Sequence, residues 1–269
     1  MNIVYGVFIF ILCTCIGSFL NVVIYRLPNK MSLAKPASHC PNCNSPIKWY
    51  DNIPIISYII LGGKCRYCKE RISPRYLIVE LTAGIISALI FVRFGLTLYT
   101  LFGIIIYLTL IPITFIDIEH YIIPDSCIII LLVTGIFGIF FNDLNYGIGL
   151  FSVDYKSKLI SLAIVIVFWL IIFLLEKLLK KDLMGGGDLK LLGVAGLILG
   201  YEQLLLVLGL ASILACIAEL ILKAFKNKPD ESKDNSNLFA FGPYLSFSIL
   251  IIYLFGINII EWWMSLLTI

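Results

Sequence analysis

Apolar runs long enough to cross a bilayer recur along this chain, and no other feature restricts its fold as much. A membrane-crossing helix needs about 20 mostly apolar residues. Eight hydrophobic segments can be drawn, at roughly 3–24, 77–95, 97–116, 123–141, 159–175, 189–200, 203–222 and 240–260. Of the 269 residues, 60% are hydrophobic and only 14% charged. That composition excludes an ordinary water-soluble domain. Within hydrocarbon every backbone polar group must be satisfied internally, so the predicted fold class is an all-α polytopic membrane protein with about eight transmembrane helices. The sixth segment is short for a full span and is expected to be tilted or partly re-entrant. The N-terminus lacks the basic stretch of a signal peptide and reads as a retained first span. No internal repeat is evident.

Orientation follows from Lys and Arg, which favour the cytoplasmic side. Of the 20 such residues, nine lie between the first and second segments, four around the link between the fifth and sixth, and four between the seventh and eighth. Only Arg93, Lys156 and Lys158 fall on the opposite side. The connections after segments one, three, five and seven are therefore expected in the cytoplasm, with both termini outside. A net charge of +3 is too small to suggest a nucleic-acid partner. The partner implied by the apolar runs is the lipid bilayer.

The longest polar loop holds two Cys-x-x-Cys pairs, Cys40/Cys43 and Cys65/Cys68, separated by 21 residues. Paired knuckles at such a separation fit a closed, structural zinc site with four cysteine ligands. A thiol redox pair is the competing reading, disfavoured because disulfides are rare in the cytoplasm. The other four cysteines lie in apolar segments, where cysteine is usually a small core residue. The expected organisation is a first transmembrane helix at 1–24, a cytoplasmic zinc-binding loop domain at 25–76 and a transmembrane domain at 77–269.

Two acids are placed at segment ends. Asp117 closes the third segment, and Asp188 opens the sixth behind Gly185, Gly186 and Gly187. An ionisable group at membrane depth is a functional-site hypothesis by default. Each has a bland alternative: Asp117 as a polar helix end, Asp188 as an N-cap beside a flexible hinge. The predicted topology puts both on the cytoplasmic face, which suggests a carboxylate dyad sharing one proton. Such a pair can activate water and protonate a scissile carbonyl. Gly186, Gly187, Lys190, Asp125 and Glu80 are candidates for substrate contact. Competing roles are capping for Asp125, pairing to an arginine or a polar site for Glu80, and a membrane-surface anchor for Lys190. Glu219 with Lys223, at i,i+4 spacing, reads as a helix-end pair.

Together these blocks resemble the type IV prepilin leader peptidases, integral membrane aspartic peptidases that are often also N-methyltransferases. The resemblance rests on Gly17 to Pro28, the two cysteine pairs with Asn52 to Pro54 and Leu61 to Cys65, and Arg75 to Leu81. It continues through Ile116-Asp117 with Ile123 to Asp125, Gly185 to Lys190, and Phe241 to Tyr244. It implies that the catalytic aspartates fall on Asp117 and Asp188. It implies cleavage of the short basic leader of prepilins and pilin-like proteins at the cytoplasmic face of the bacterial inner membrane. It also implies methylation of the new N-terminus from S-adenosylmethionine, although no glycine-rich nucleotide fingerprint stands in the chain. A transporter relaying protons through an intramembrane acid pair is the alternative; it predicts acids near the midplane and repeat symmetry. A non-enzymatic zinc-bearing assembly protein would leave the Gly-Asp block unexplained.

Overall fold

The structure is a computed structural model that describes residues 2–140, 155–180, 184–225 and 239–267. Every long element among them is an α-helix: α1 (Asn2–Arg26), α2 (Ile56–Ile60), α3 (Pro74–Phe94), α4 (Leu98–His120), α5 (Asp125–Phe140), α6 (Tyr155–Leu179), α7 (Gly186–Leu199), α8 (Tyr201–Phe225) and α9 (Gly242–Leu267). A 3-10 turn, Trp49–Asn52, lies in the loop after α1. Each of the eight expected segments coincides with a helix. Five of these, α1, α3, α4, α6 and α8, are long and apolar enough to cross a membrane, while α5 and α9 contain shorter apolar stretches, Asp125–Gly138 and Gly242–Gly256. At 14 residues, α7 rises about 21 Å, short of the roughly 30 Å hydrocarbon core. The chain is a multi-pass, all-α membrane protein.

Helix boundaries follow local chemistry. α3 starts where Ser73 Oγ accepts the Arg75 N–H at 3.3 Å, with Pro74 in the first turn, an N-cap followed by a residue that has no N–H to lose. It stops at Gly95, whose φ of +66° suits glycine. α7 stops in the same way at Gly200, φ +87°.

The chain divides into two compact units, Met1–Pro112 and Ile113–Ile269; α4 runs through the boundary, with Pro112 inside it. In the first unit α1 packs along α3. A Cβ on Gly17 would lie 2.9 Å from Ala83 Cβ and 3.0 Å from Glu80 Cα, so the two backbones approach through a small residue, as membrane helices commonly do. Asn21 Nδ2 bridges the pair, donating to the Gly17 carbonyl at 3.3 Å and the Tyr76 carbonyl at 3.2 Å.

In the second unit α7 is the central element. It packs against α5, α6, α8 and α9. Leu189, Leu191, Leu192 and every residue from Val194 to Leu199 are buried, and after Lys190 the helix carries no polar side chain. A helix apolar on all sides belongs in an interior. α6, by contrast, leaves Ile166, Val167, Leu170 and Leu174 exposed, as a lipid-facing helix would.

Candidate active site

Asp117 lies in the last turn of α4 and is buried. Its Oδ2 accepts the main-chain N–H of Gly242 at 2.9 Å. Gly242 is the first residue of α9, and the first N–H groups of a helix have no partner inside it. One of them is therefore spent on Asp117, and the partial positive charge of the helix start faces a carboxylate. Glycine leaves the room for this bond: a Cβ there would stand 2.7 Å from Asp117 Oδ2 and 3.1 Å from Cγ, and something would have to shift.

Asp188 is the third residue of α7. The cap of that helix is Gly185, with no side-chain cap bond, and the Asp188 N–H donates to the Gly185 carbonyl at 3.1 Å. The side chain is thus free of the capping role. Its Oδ1 is buried with no hydrogen-bond partner among the described residues. The carboxyls of Asp188 and Asp117 are close enough for their charges to interact. Two acids from distant parts of the sequence therefore lie within electrostatic reach in one unit, one tied to a main-chain donor and the other untied.

The three glycines before Asp188 differ. A Cβ on Gly185 would lie 3.0 Å from Asp188 Oδ2, and one on Gly187 would lie 2.9 Å from Ile123 Cβ. A Cβ on Gly186 would meet nothing within 4 Å. Gly187 thus lets the first turn of α7 press on the segment before α5, while Gly186 borders open space. Lys190 Nζ bonds Asp125 Oδ1 at 2.6 Å, and both side chains are largely exposed. The pair joins the starts of α5 and α7. Glu119 and His120 are exposed, and the Glu219–Lys223 pair forms at 3.8 Å.

Glu80 belongs to the first unit. It is buried in α3, and Oε2 accepts the Ile55 N–H at 2.7 Å. Its partner is a backbone amide.

The cysteine loop, also in the first unit, folds as two matching knuckles. In the first, the Cys40 N–H donates to the Ser45 carbonyl and the Asn44 N–H to the Cys40 carbonyl; in the second, the Cys65 N–H donates to the Glu70 carbonyl and the Lys69 N–H to the Cys65 carbonyl. Asn44 and Lys69 occupy the same place and share a positive φ, 55° and 61°. All four Sγ atoms lie within 4.8 Å of one another, with Cys40–Cys68 at 3.8 Å and Cys43–Cys65 at 4.0 Å. Tetrahedral zinc with sulfur at about 2.3 Å requires S···S separations of about 3.8 Å, so the donor set fits such an ion. Arg66 in the second knuckle forks onto Asp51 at 2.6 to 3.0 Å, and these hydrogen bonds hold the Asp51 carboxyl below its usual range.

Gly242 is the site residue that sequence reasoning did not single out. It stood only inside the Phe241 to Tyr244 block, and its contact with Asp117 spans 125 residues. The available signal was Gly-Pro at a helix start.

Comparison with known proteins matches residues 11–94 to the Bacterial Peptidase A24 N-terminal domain and residues 104–220 to the Type IV leader peptidase family. The first stretch contains the four cysteines and Glu80; the second contains Asp117 and Asp188. A prepilin leader peptidase/N-methyltransferase of Neisseria gonorrhoeae is 33% identical, over 93% of this chain and 91% of the relative. Those of Aeromonas salmonicida and Pseudomonas aeruginosa are each 32% identical, covering 96% and 92% of this chain and 93% and 91% of the relatives. No solved structure matches the chain. With relatives this similar over nearly the full length, and both stretches matched in order, the chain belongs to the type IV leader peptidase family.

Proposed function

We propose that this chain is a membrane aspartic endopeptidase that removes the short basic leader of type IV prepilins and pilin-like proteins, and that it methylates the new N-terminus. The observation that carries the peptidase reading is the meeting of Asp117 and Asp188 in one unit, with a main-chain donor on one acid only. The prepilin substrate and the methyl transfer come from the names of the relatives.

In this reading Asp117, whose charge is met by the Gly242 N–H, is the base. It takes a proton from a water, and the water oxygen attacks the scissile carbonyl carbon. Asp188 gives its proton to the carbonyl oxygen. On collapse of the tetrahedral species the proton held by Asp117 passes to the leaving amine, and the hydroxyl that becomes the new carbonyl returns its proton to Asp188, so the cycle ends with one proton again on the pair. No covalent intermediate forms.

The distribution of Lys and Arg supports an active site at the cytoplasmic face of the bacterial inner membrane, with the apolar helix of the substrate lying in the bilayer. Gly186 would border the cleavage site. Cys40, Cys43, Cys65 and Cys68 would hold zinc; with four sulfurs the shell is closed and the ion stabilises the loop rather than taking part in hydrolysis. S-adenosylmethionine would supply the methyl group, and no residue of this chain is assigned to it. In this reading 1–24 form the first transmembrane helix, 25–76 the zinc-binding loop domain and 77–269 the transmembrane peptidase domain. The test is to incubate the purified full-length protein with a prepilin and measure product masses. Loss of the leader mass supports the peptidase, a further gain of one methyl supports the transferase, and an unchanged substrate refutes the reading.

A further inference from the structure

α2 is turned inside out for a segment in water. Ile56, Ile59 and Ile60, at i, i+3 and i+4 on one face, are all exposed, Ile59 by 66% and Ile60 by 73%. Its other face carries Ser57 and Tyr58. Tyr58 is turned inward, with its hydroxyl on the Ile72 carbonyl at 3.3 Å. In the same loop Trp49 is 79% exposed.

The entry into α2 is strained. Ile55 has φ +64° and ψ −54°, and the Ile56 N–H donates back to the Pro54 carbonyl at 2.6 Å. This is the rare γ-turn geometry, here on a β-branched residue, for which positive φ is a genuine outlier. Strain of that kind persists where the surroundings enforce it. Glu80 enforces it by accepting the Ile55 N–H. Glu80 is the seventh residue of α3, which qualifies as a membrane span from Pro74 to Phe94, and so lies about 9 Å along that helix. A turn tied to it is held level with the first turns of the span.

We propose that α2 and Trp49 form a lipid-docking surface that seats the cysteine loop on an anionic bilayer, with Glu80 setting its depth. Three exposed isoleucines at the level of a span's start meet the acyl boundary, and tryptophan suits the interface beside them. The charge around them agrees: residues 48–75 carry six basic side chains against two acidic ones, which favours anionic headgroups. This inference concerns the first unit alone and is independent of the aspartate chemistry.

The test uses the full-length protein in vesicles of phosphatidylethanolamine and phosphatidylglycerol, with p-benzoylphenylalanine replacing Ile59, Ile60 or, as a control, the exposed Lys69. After irradiation, phospholipid adducts are expected at 59 and 60 at no less than about five times the yield at 69. Yields should fall severalfold when phosphatidylcholine replaces both lipids. Glu80→Ala should lower the adducts at 60 severalfold while the metal content of the loop is unchanged. Crosslinks from 59 and 60 to a second copy of the chain or to a prepilin, or equal yields at all three positions, would overturn the proposal. Equal yields in anionic and neutral vesicles would overturn its electrostatic part, and an unchanged pattern in Glu80→Ala its account of Glu80.

Discussion

Gly242 donates its main-chain N–H to Asp117 Oδ2 at 2.9 Å, joining the start of α9 to the end of α4. The bond is possible only because Gly242 has no side chain, since a Cβ would lie 2.7 Å from the same oxygen. A backbone group thus orients one acid of the proposed dyad, and it cannot be removed by ordinary side-chain truncation.

Gly242→Ala is accordingly expected to displace Asp117 by a few tenths of an ångström or more. Misplacing a reacting group by about 1 Å can cost on the order of 10²-fold in rate. Steady-state cleavage should show kcat reduced by about 10-fold to 10²-fold with KM nearly unchanged. A change in KM alone would show that Gly242 serves binding and not the orientation of Asp117.

Asp117→Asn and Asp188→Asn should each abolish cleavage, by about 10³-fold or more, since either change removes one of the two proton roles. Membrane insertion and metal content should match the parent protein. Cleavage retained by either well-inserted variant, measured by product mass, would remove that residue from the mechanism.

The glycines before Asp188 should separate packing from access. Gly187→Val brings a Cβ 2.9 Å from that of Ile123 and adds two methyl groups, so a loss of about 1–3 kcal/mol in stability is expected, seen as a lower unfolding temperature together with lost cleavage. Gly186→Ala meets nothing within 4 Å and should leave the unfolding temperature unchanged. Any fall in its cleavage rate would then report on substrate alone.

Elemental analysis of protein purified without chelator should give one zinc per chain. Changing Cys40, Cys43, Cys65 or Cys68 to Ser should lower that content and expose the loop to protease, because metal binding and folding are coupled. Full metal retention in two such variants would argue for a different ligand set.

Much of this architecture is legible in the sequence because a bilayer imposes a coarse pattern. Apolar runs such as 159–175 announce their helices without any finer periodicity, and the Cys-x-x-Cys spacing defines the knuckles. Asp117 and Asp188 stand out because charge is rare in such surroundings. The contacts that complete the picture leave no such trace. The Gly242–Asp117 bond depends on how α4 and α9 pack. Lys190 is drawn to Asp125, 65 residues away. Glu80 is satisfied by a backbone amide, and the strained turn at Ile55 falls on a residue type that turn statistics disfavour.

The brevity of α7 has one more consequence. Set in a bilayer, its 14 residues leave about 9 Å of hydrocarbon thickness uncovered, and its neighbours wall it on every side. With that thickness on the side of the helix start, Asp188, in the first turn, would stand at the floor of a dent in the membrane rather than on its rim. Under the proposed function, hydrolysis there would require only that water descend a short way between helices. In that reading the peptide to be cut would not have to leave the membrane boundary.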